Sequence, residues 1–124
     1  MKNAKDYLEA ANQIVPRISA EEAIARHAQG GGVFIDVRDS SDISQSGTIA
    51  GALQIPRGFI EFAADDSMPM HNKALTKDAD IYLVCGAGGM AALAGQTLKE
   101  MGYSNVTNVG GIGDWKSAGG PTDE

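Results

Sequence analysis

Cysteine is almost missing from this chain: Cys85 stands alone. A lone thiol excludes an internal disulfide and any multi-thiolate zinc site, and makes a reducing, cytoplasmic setting with no bound metal the expectation. Long hydrophobic runs are missing too. No stretch approaches the ~18 apolar residues of a membrane helix, and the opening MKNAKDYLEAANQIV carries Lys5, Asp6 and Glu9 where a signal peptide needs an apolar run. Positive charge is scarce, with 10 Lys and Arg against 16 Asp and Glu and a net charge of −6. That balance argues against nucleic acid or a membrane surface as partner. It also means that an anionic substrate needs a local patch of positive potential. No internal repeat is visible, and no low-complexity run exceeds Gly30 to Gly32.

An apolar content of 43% is enough for a core, so residues 1–124 are expected to form a single domain. Ala4, Tyr7, Leu8, Ala11 and Ile14 recur at helical spacing, which predicts a helix from about 3 to 13, ended by Pro16. Ser19-Ala-Glu-Glu22 is a capping-box pattern that opens a second helix towards Ala28, and the three glycines close it. Val33 to Val37 reads as a buried strand interrupted only by Asp36. Residues 38–51 are polar and turn-rich, with room for a short helix around Asp42. Ala52 to Ile55 is a short strand, Gly58 to Ala64 a helix, Ile81 to Val84 a strand, and Gly89 to Met101 the longest helix. Gly102 stands where a left-handed C-cap belongs. Val106 to Val109 is the last strand, and a glycine-led turn or helix follows from Gly110 to Lys116. Alternating strands and helices of this length predict an α/β fold with a mostly parallel sheet, whose chemistry lies at the carboxyl ends of the strands.

Cys85 occupies such an end. Gly86-Ala87-Gly88-Gly89 follows it, then Met90 and Ala91 open the helix. Glycine permits φ > 0, and without side chains an anion can approach the amides closely. The helix also points its positive end at the same spot. A thiolate is stabilised there and can act as a nucleophile towards sulfur or phosphorus. The plain alternative is a small hydrophobe ending a buried strand, but such a connection does not need three glycines in four residues. Gly86-Ala-Gly-Gly-Met-Ala91 also fits a dinucleotide fingerprint. That reading requires an acidic residue after the next strand for a ribose hydroxyl, and Gly110-Gly111 stands there instead.

Three separated segments carry a family resemblance. Ile35-Asp-Val-Arg-Asp39 with Gly47-Thr-Ile-Ala-Gly-Ala-Leu-Gln-Ile-Pro56 resembles the N-terminal signature of rhodanese-like domains. Cys85 and its loop match the active-site position of that family, and Gly110-Gly-Ile-Gly-Asp-Trp115 with Gly119-Gly-Pro121 is similar to its C-terminal signature. The resemblance covers about 18 to 121 and implies a three-layer fold: a central, mostly parallel five-stranded sheet with helices on both faces. It implies sulfur transfer without a cofactor. Cys85 would take the outer sulfur of a small donor (thiosulfate, a persulfide or a polysulfide) and pass it to cyanide in an assay or to a thiol or protein thiol in cells. Amides from Gly86 to Ala91 would hold the persulfide.

The departures from the family pattern matter. Many active members carry arginine just after the cysteine and again at the loop's end, where this chain has Gly86, Met90 and Ala91. A lost charge-assisted contact of that kind costs about 1.5–3 kcal/mol, so thiosulfate is expected to be a poor donor. Arg57, just beyond a strand end, is the candidate replacement charge, against a plain solvated helix-start arginine. Arg38 is expected to be structural, since the resemblance implies a pairing with an acid a few residues on, here Asp42. Asp36 is expected to satisfy backbone donors or buttress the sheet, and Trp115 to pack the C-terminal segment on the core. Thr48 stands where the family often has histidine, His71 is a candidate for the pocket mouth or plain surface, and Met90 for an apolar wall of the loop. Three functions stay open: a sulfurtransferase or persulfide carrier; a non-catalytic binding or regulatory module that has lost its loop arginines; and phosphatase or arsenate-reductase chemistry, which depends on more cationic charge than this loop holds.

Overall fold

Strands that are apolar on both sides persist only when both faces are covered, and two layers of helices do this here. The computed structural model describes residues 1–124. Its elements run α1 (Ala4–Ile14), α2 (Ala20–Gln29), β1 (Val33–Asp36), α3 (Ser40–Ser46), β2 (Thr48–Ile49), β3 (Leu53–Gln54), α4 (Ile60–Ala64), β4 (Asp80–Cys85), α5 (Gly89–Glu100), β5 (Asn105–Gly111), α6 (Ile112–Ser117) and β6 (Thr122–Asp123). A turn of 3-10 helix over Arg57–Phe59 leads into α4. The main sheet is wholly parallel in the order β3-β1-β4-β5, which puts β4 and its terminal Cys85 in the interior.

One face packs on α4 and α5, with Ile35, Leu83, Ala94, Leu98 and Val106 in its core. The other packs on α2 and α6, with Phe34, Tyr82, Val84 and Trp115. Helix α1 lies on α5 instead of on a strand. Gly95 makes that contact close: a Cβ there would sit 2.9 Å from both Val15 methyl carbons. The α1 start is a reciprocal cap in which Asn3 Oδ1 accepts the Asp6 N–H and Asp6 Oδ2 accepts the Asn3 N–H. At α2 only half of the capping box forms. Ser19 Oγ accepts the Glu22 N–H at 3.1 Å, while the Glu22 carboxylate turns to Arg26 at 2.9 Å.

The main sheet has four strands, not five. Beside β5, where a fifth strand would add, there is a single parallel bridge between Arg17 and Asn108. Asn108 N–H donates to the Pro16 carbonyl at 2.9 Å and the Ile18 N–H to the Asn108 carbonyl at 3.1 Å. The bridge cannot lengthen, because Pro16 has no N–H to extend the ladder and Ser19 already caps α2. The remaining strands, β2 and β6, form a separate antiparallel pair. Two-residue strands have no periodicity to read in a sequence, so this pair is defined only by tertiary contact.

Candidate active site

Strand β4 delivers Cys85 to the carboxyl end of the sheet, and α5 begins four residues later. The side chain is 1% exposed. Its Sγ accepts two backbone N–H groups, from Gly88 at 3.0 Å and from Ala91 at 3.3 Å. The turn works because Gly88 adopts φ 102°, a left-handed conformation that disfavours any side chain. Both donors belong to the entry of α5, so the helix dipole and the two amides add at one sulfur. Gly86 and Ala87 are exposed, which leaves the thiol one layer below solvent.

Strand β5 braces this loop from the side. A β-bulge falls between Leu83 and Val84, so that Leu83 faces Asn108 while Val84 faces Gly110. The fully buried Asn108 donates from Nδ2 to the Gly88 carbonyl at 2.9 Å, and its Oδ1 accepts the Gly110 N–H at 2.8 Å. Gly111 packs so tightly on the loop that a Cβ there would run into the Gly86 carbonyl oxygen. Gly111 is therefore a steric requirement of the Cys85 loop.

Sequence reasoning passed over two residues here. One is Asn108, which reads as an unremarked polar residue in a strand. The other is Arg17. Its guanidinium lies in the space that a side chain at Gly88 or at Gly110 would fill, 2.9 Å from the Cβ position of the latter. Arg17 Nη2 donates to the Ala87 carbonyl at 3.4 Å, and the residue forms no ion pair. Its only signal in the sequence is an arginine in a short linker after Pro16.

The hydrogen bonds of Arg57 go elsewhere. Its Nη1 donates to both Glu61 oxygens at 3.3 Å and its Nη2 to Thr97 Oγ1 at 3.1 Å. With Ala4, Tyr7, Leu8, Met90 and Leu93 it lines an open groove of about 580 Å³ between α1 and α5. Met90 is exposed there, one wall of a groove that begins at the loop. His71 bonds the Leu75 carbonyl at 3.1 Å through Nε2.

The expected pairing of Arg38 with Asp42 is replaced by one with Asp36. Arg38 Nη2 reaches Asp36 Oδ2 at 2.8 Å with both side chains buried, and Nε donates to the same carboxylate at 3.1 and 3.2 Å. The chain bends just past the end of β1, where the Arg38 N–H also donates to Asp36 Oδ1 at 3.0 Å, whereas Asp42 sits on the exposed first turn of α3. Thr48 Oγ1 donates to Asp36 at 2.7 Å, and the Ser46 hydroxyl and Gly47 carbonyl each accept a further Arg38 N–H at 2.8 Å. Every side-chain polar atom of the buried pair thus has a partner, and the network ties β1 to β2. Trp115, 1% exposed, donates from Nε1 to the Pro121 carbonyl at 2.9 Å and holds the C-terminal segment in place.

Comparison with known proteins agrees with this geometry. Residues 19–118 match the family described as Rhodanese-like domain. Over 81 residues the chain is 31% identical to the thiosulfate sulfurtransferase PspE of Escherichia coli, covering 65% of this chain and 71% of that protein. Over 83 residues it is 30% identical to the putative sulfur carrier protein YrkF of Bacillus subtilis, covering 66% of this chain but spanning only 40% of that protein's length. Among solved structures, a Rhodopseudomonas palustris protein of unknown function, described as a possible tyrosine phosphatase, superposes with a TM-score of 0.94 at 32% identity, covering 99% of this chain and 96% of that one. The human single-domain sulfurtransferase TSTD1 superposes with a TM-score of 0.70 at 25% identity, covering 83% and 96% of the two chains. With its parallel sheet, its amide-held cysteine at a strand end and this match over most of its length, the chain belongs to the rhodanese-like domain family.

Proposed function

We propose that the protein is a sulfurtransferase or persulfide carrier acting through Cys85 in a reducing, cytoplasmic setting. The observation that carries the reading is the pair of N–H donors, Gly88 and Ala91, on the sulfur of the sole cysteine. Donors aimed at a sulfur stabilise it as an anion, both as the attacking thiolate and as the persulfide. In the first step the Cys85 thiolate attacks the outer sulfur of the donor. The Sγ–S bond forms, the donor's own bond to that sulfur breaks, and its electron pair leaves with sulfite or with a thiolate. In the second step an acceptor thiolate or cyanide attacks the terminal sulfur, and the bonding pair returns to Cys85. No cofactor or metal enters either step. With no guanidinium on Gly86, Met90 or Ala91, thiosulfate is a weaker donor than a persulfide or polysulfide.

The test is intact mass spectrometry after incubation with thiosulfate and, separately, with a polysulfide. The protein gains the mass of one sulfur atom, Cys85→Ser gains none, and a thiol or cyanide removes it. A wild-type protein that never gains sulfur from either donor refutes the reading.

A second reading, a binding module without turnover, is favoured by the near-complete burial of Cys85 and by the loop's lack of arginine. It predicts a Cys85 inert to both donors and to alkylation in the folded state. Phosphatase chemistry, which the description of the Rhodopseudomonas protein also names, predicts release of phosphate from an aryl phosphate.

A further inference from the structure

We propose that Arg17, carried on the linker between α1 and α2, is the fixed positive charge of the sulfur site and gives it a preference for anionic sulfur donors over uncharged ones. The inference rests on the sulfur-transfer reading and adds to it the charge class of the donor. Four observations support the assignment. The guanidinium lies against Gly88, the residue whose N–H is bonded to Cys85 Sγ, and against Gly110, which Asn108 ties to the same loop. Its one hydrogen bond, to the Ala87 carbonyl at 3.4 Å, is long and occupies a single donor of a group that has five. It has no carboxylate partner, in a chain with 16 acids and 10 bases, so its charge is not neutralised locally. Finally, its backbone is held in place: Arg17 bridges to Asn108, and the flanking Pro16 and Ile18 share hydrogen bonds with that residue.

The same Asn108 therefore fixes the loop that holds the sulfur and the linker that carries the cation. Both glycines next to Arg17 have positive φ, 102° at Gly88 and 87° at Gly110, so no side chain competes for its place. A guanidinium in this position adds one charge from a distant part of the chain where the loop lacks two, so anionic donors are favoured over uncharged ones while thiosulfate stays weaker than a persulfide or polysulfide. Arg57, by contrast, spends its donors on Glu61 and Thr97. Arg17 acts on the site through its charge and through the Ala87–Gly88 backbone, and is a positioning and specificity residue.

The experiment titrates sulfite, an anion that needs no turnover, into the 15N-labelled protein and follows the amide signals of Gly88 and Ala91. Wild type, Arg17→Gln, Arg17→Lys and Arg57→Gln are compared. Arg17→Gln weakens sulfite about tenfold, the size of one lost charge-assisted contact, Arg17→Lys restores most of the affinity, and Arg57→Gln leaves it unchanged. In parallel, modification of Cys85 is followed by intact mass with thiosulfate, which adds one sulfur and releases sulfite, and with an uncharged organic trisulfide, which adds an alkylthio or alkyldithio group and releases the alkyl persulfide or thiolate. Arg17→Gln raises KM for thiosulfate and leaves the trisulfide unaffected. The proposal is overturned if wild type does not bind sulfite, if Arg17→Gln binds it as well as wild type, if Arg57→Gln is the variant that loses affinity, or if Arg17→Gln slows both donors equally. Sulfite binding without any sulfur loading would refute the sulfur-transfer reading and leave the anion assignment standing, so the two failures are distinct.

Discussion

Asn108 on β5 and Gly88 in the Cys85 loop are joined by a 2.9 Å hydrogen bond from the Asn108 side-chain amide to the Gly88 carbonyl. The Gly88 N–H faces the other way and donates to Cys85 Sγ at 3.0 Å. One peptide neighbourhood thus transmits the position of a buried strand residue to the sulfur. Asn108 has no freedom to do anything else, since its Oδ1 is taken by the Gly110 N–H and its backbone by Pro16 and Ile18.

Replacing Asn108 by alanine takes one donor from the Gly88 carbonyl, which keeps the Ala92 N–H at 3.0 Å, and removes the side-chain acceptor of the buried Gly110 N–H. An unsatisfied buried group costs about 1–3 kcal/mol, so urea denaturation of Asn108→Ala should show a loss of at least that size. Sulfur loading of Cys85 should fall further than the fraction of protein unfolded accounts for, because the loop is released even in the folded molecules. Loading in proportion to the folded fraction would mean that Asn108 serves stability alone.

The glycines of the loop are not equivalent. Gly88 has φ 102° and a neighbour, Arg17, where its Cβ would go, whereas nothing lies within 4 Å of a Cβ at Gly86 and its φ is ordinary. Gly88→Ala should therefore lose on the order of 1–3 kcal/mol of stability through strain and lose sulfur loading with it. Gly86→Ala should stay within about 0.5 kcal/mol of wild type. Thermal melts of the two variants, side by side, check the difference.

Tyr103 carries a pH dependence. It is 2% exposed, and its hydroxyl donates to the Ala64 carbonyl at 2.7 Å and the Leu75 carbonyl at 3.2 Å. Burial, followed by the nearby Asp66 and Asp65 carboxylates, raises its pKa above the ordinary tyrosine value. A group whose pKa is raised in the folded state favours folding while the phenol keeps its proton in both states. That contribution is lost as pH climbs through the unfolded value of about 10 towards the folded one. Stability measured by urea should accordingly fall above about pH 10, with a shallower fall in Tyr103→Phe. The same variant should lose about 0.5–1.5 kcal/mol at neutral pH from its missing hydrogen bonds. An identical alkaline slope in both proteins would remove Tyr103 as its cause.

Much of the site was legible because its inner part is local. Cys85, Gly88 and Ala91 fall on one strand-to-helix turn, and runs of glycine beside a lone thiol announce a backbone built to approach a sulfur. The strands β1, β4 and β5 were legible for a similar reason, since apolar runs bounded by glycine or acid mark buried strands. The β2–β6 pair was not, because two residues leave no period. Nor was the true partner of Arg38: the resemblance pointed four residues forward to Asp42, while the bend after β1 turns Arg38 back onto the buried Asp36.

By itself, then, the order of residues determined that the lone sulfur ends a strand, that the amides facing it come from the Gly86 to Ala91 run and which elements alternate to form the sheet, because those outcomes depend on backbone preferences within a few residues. Only the tertiary structure decided what surrounds that atom. The Asn108 brace lies 20 residues from Gly88 along the chain, and the Arg17 cation 70 residues from Ala87. Contacts at such separations come from how the strands stack and where Pro16 ends a bridge, and no local propensity encodes them.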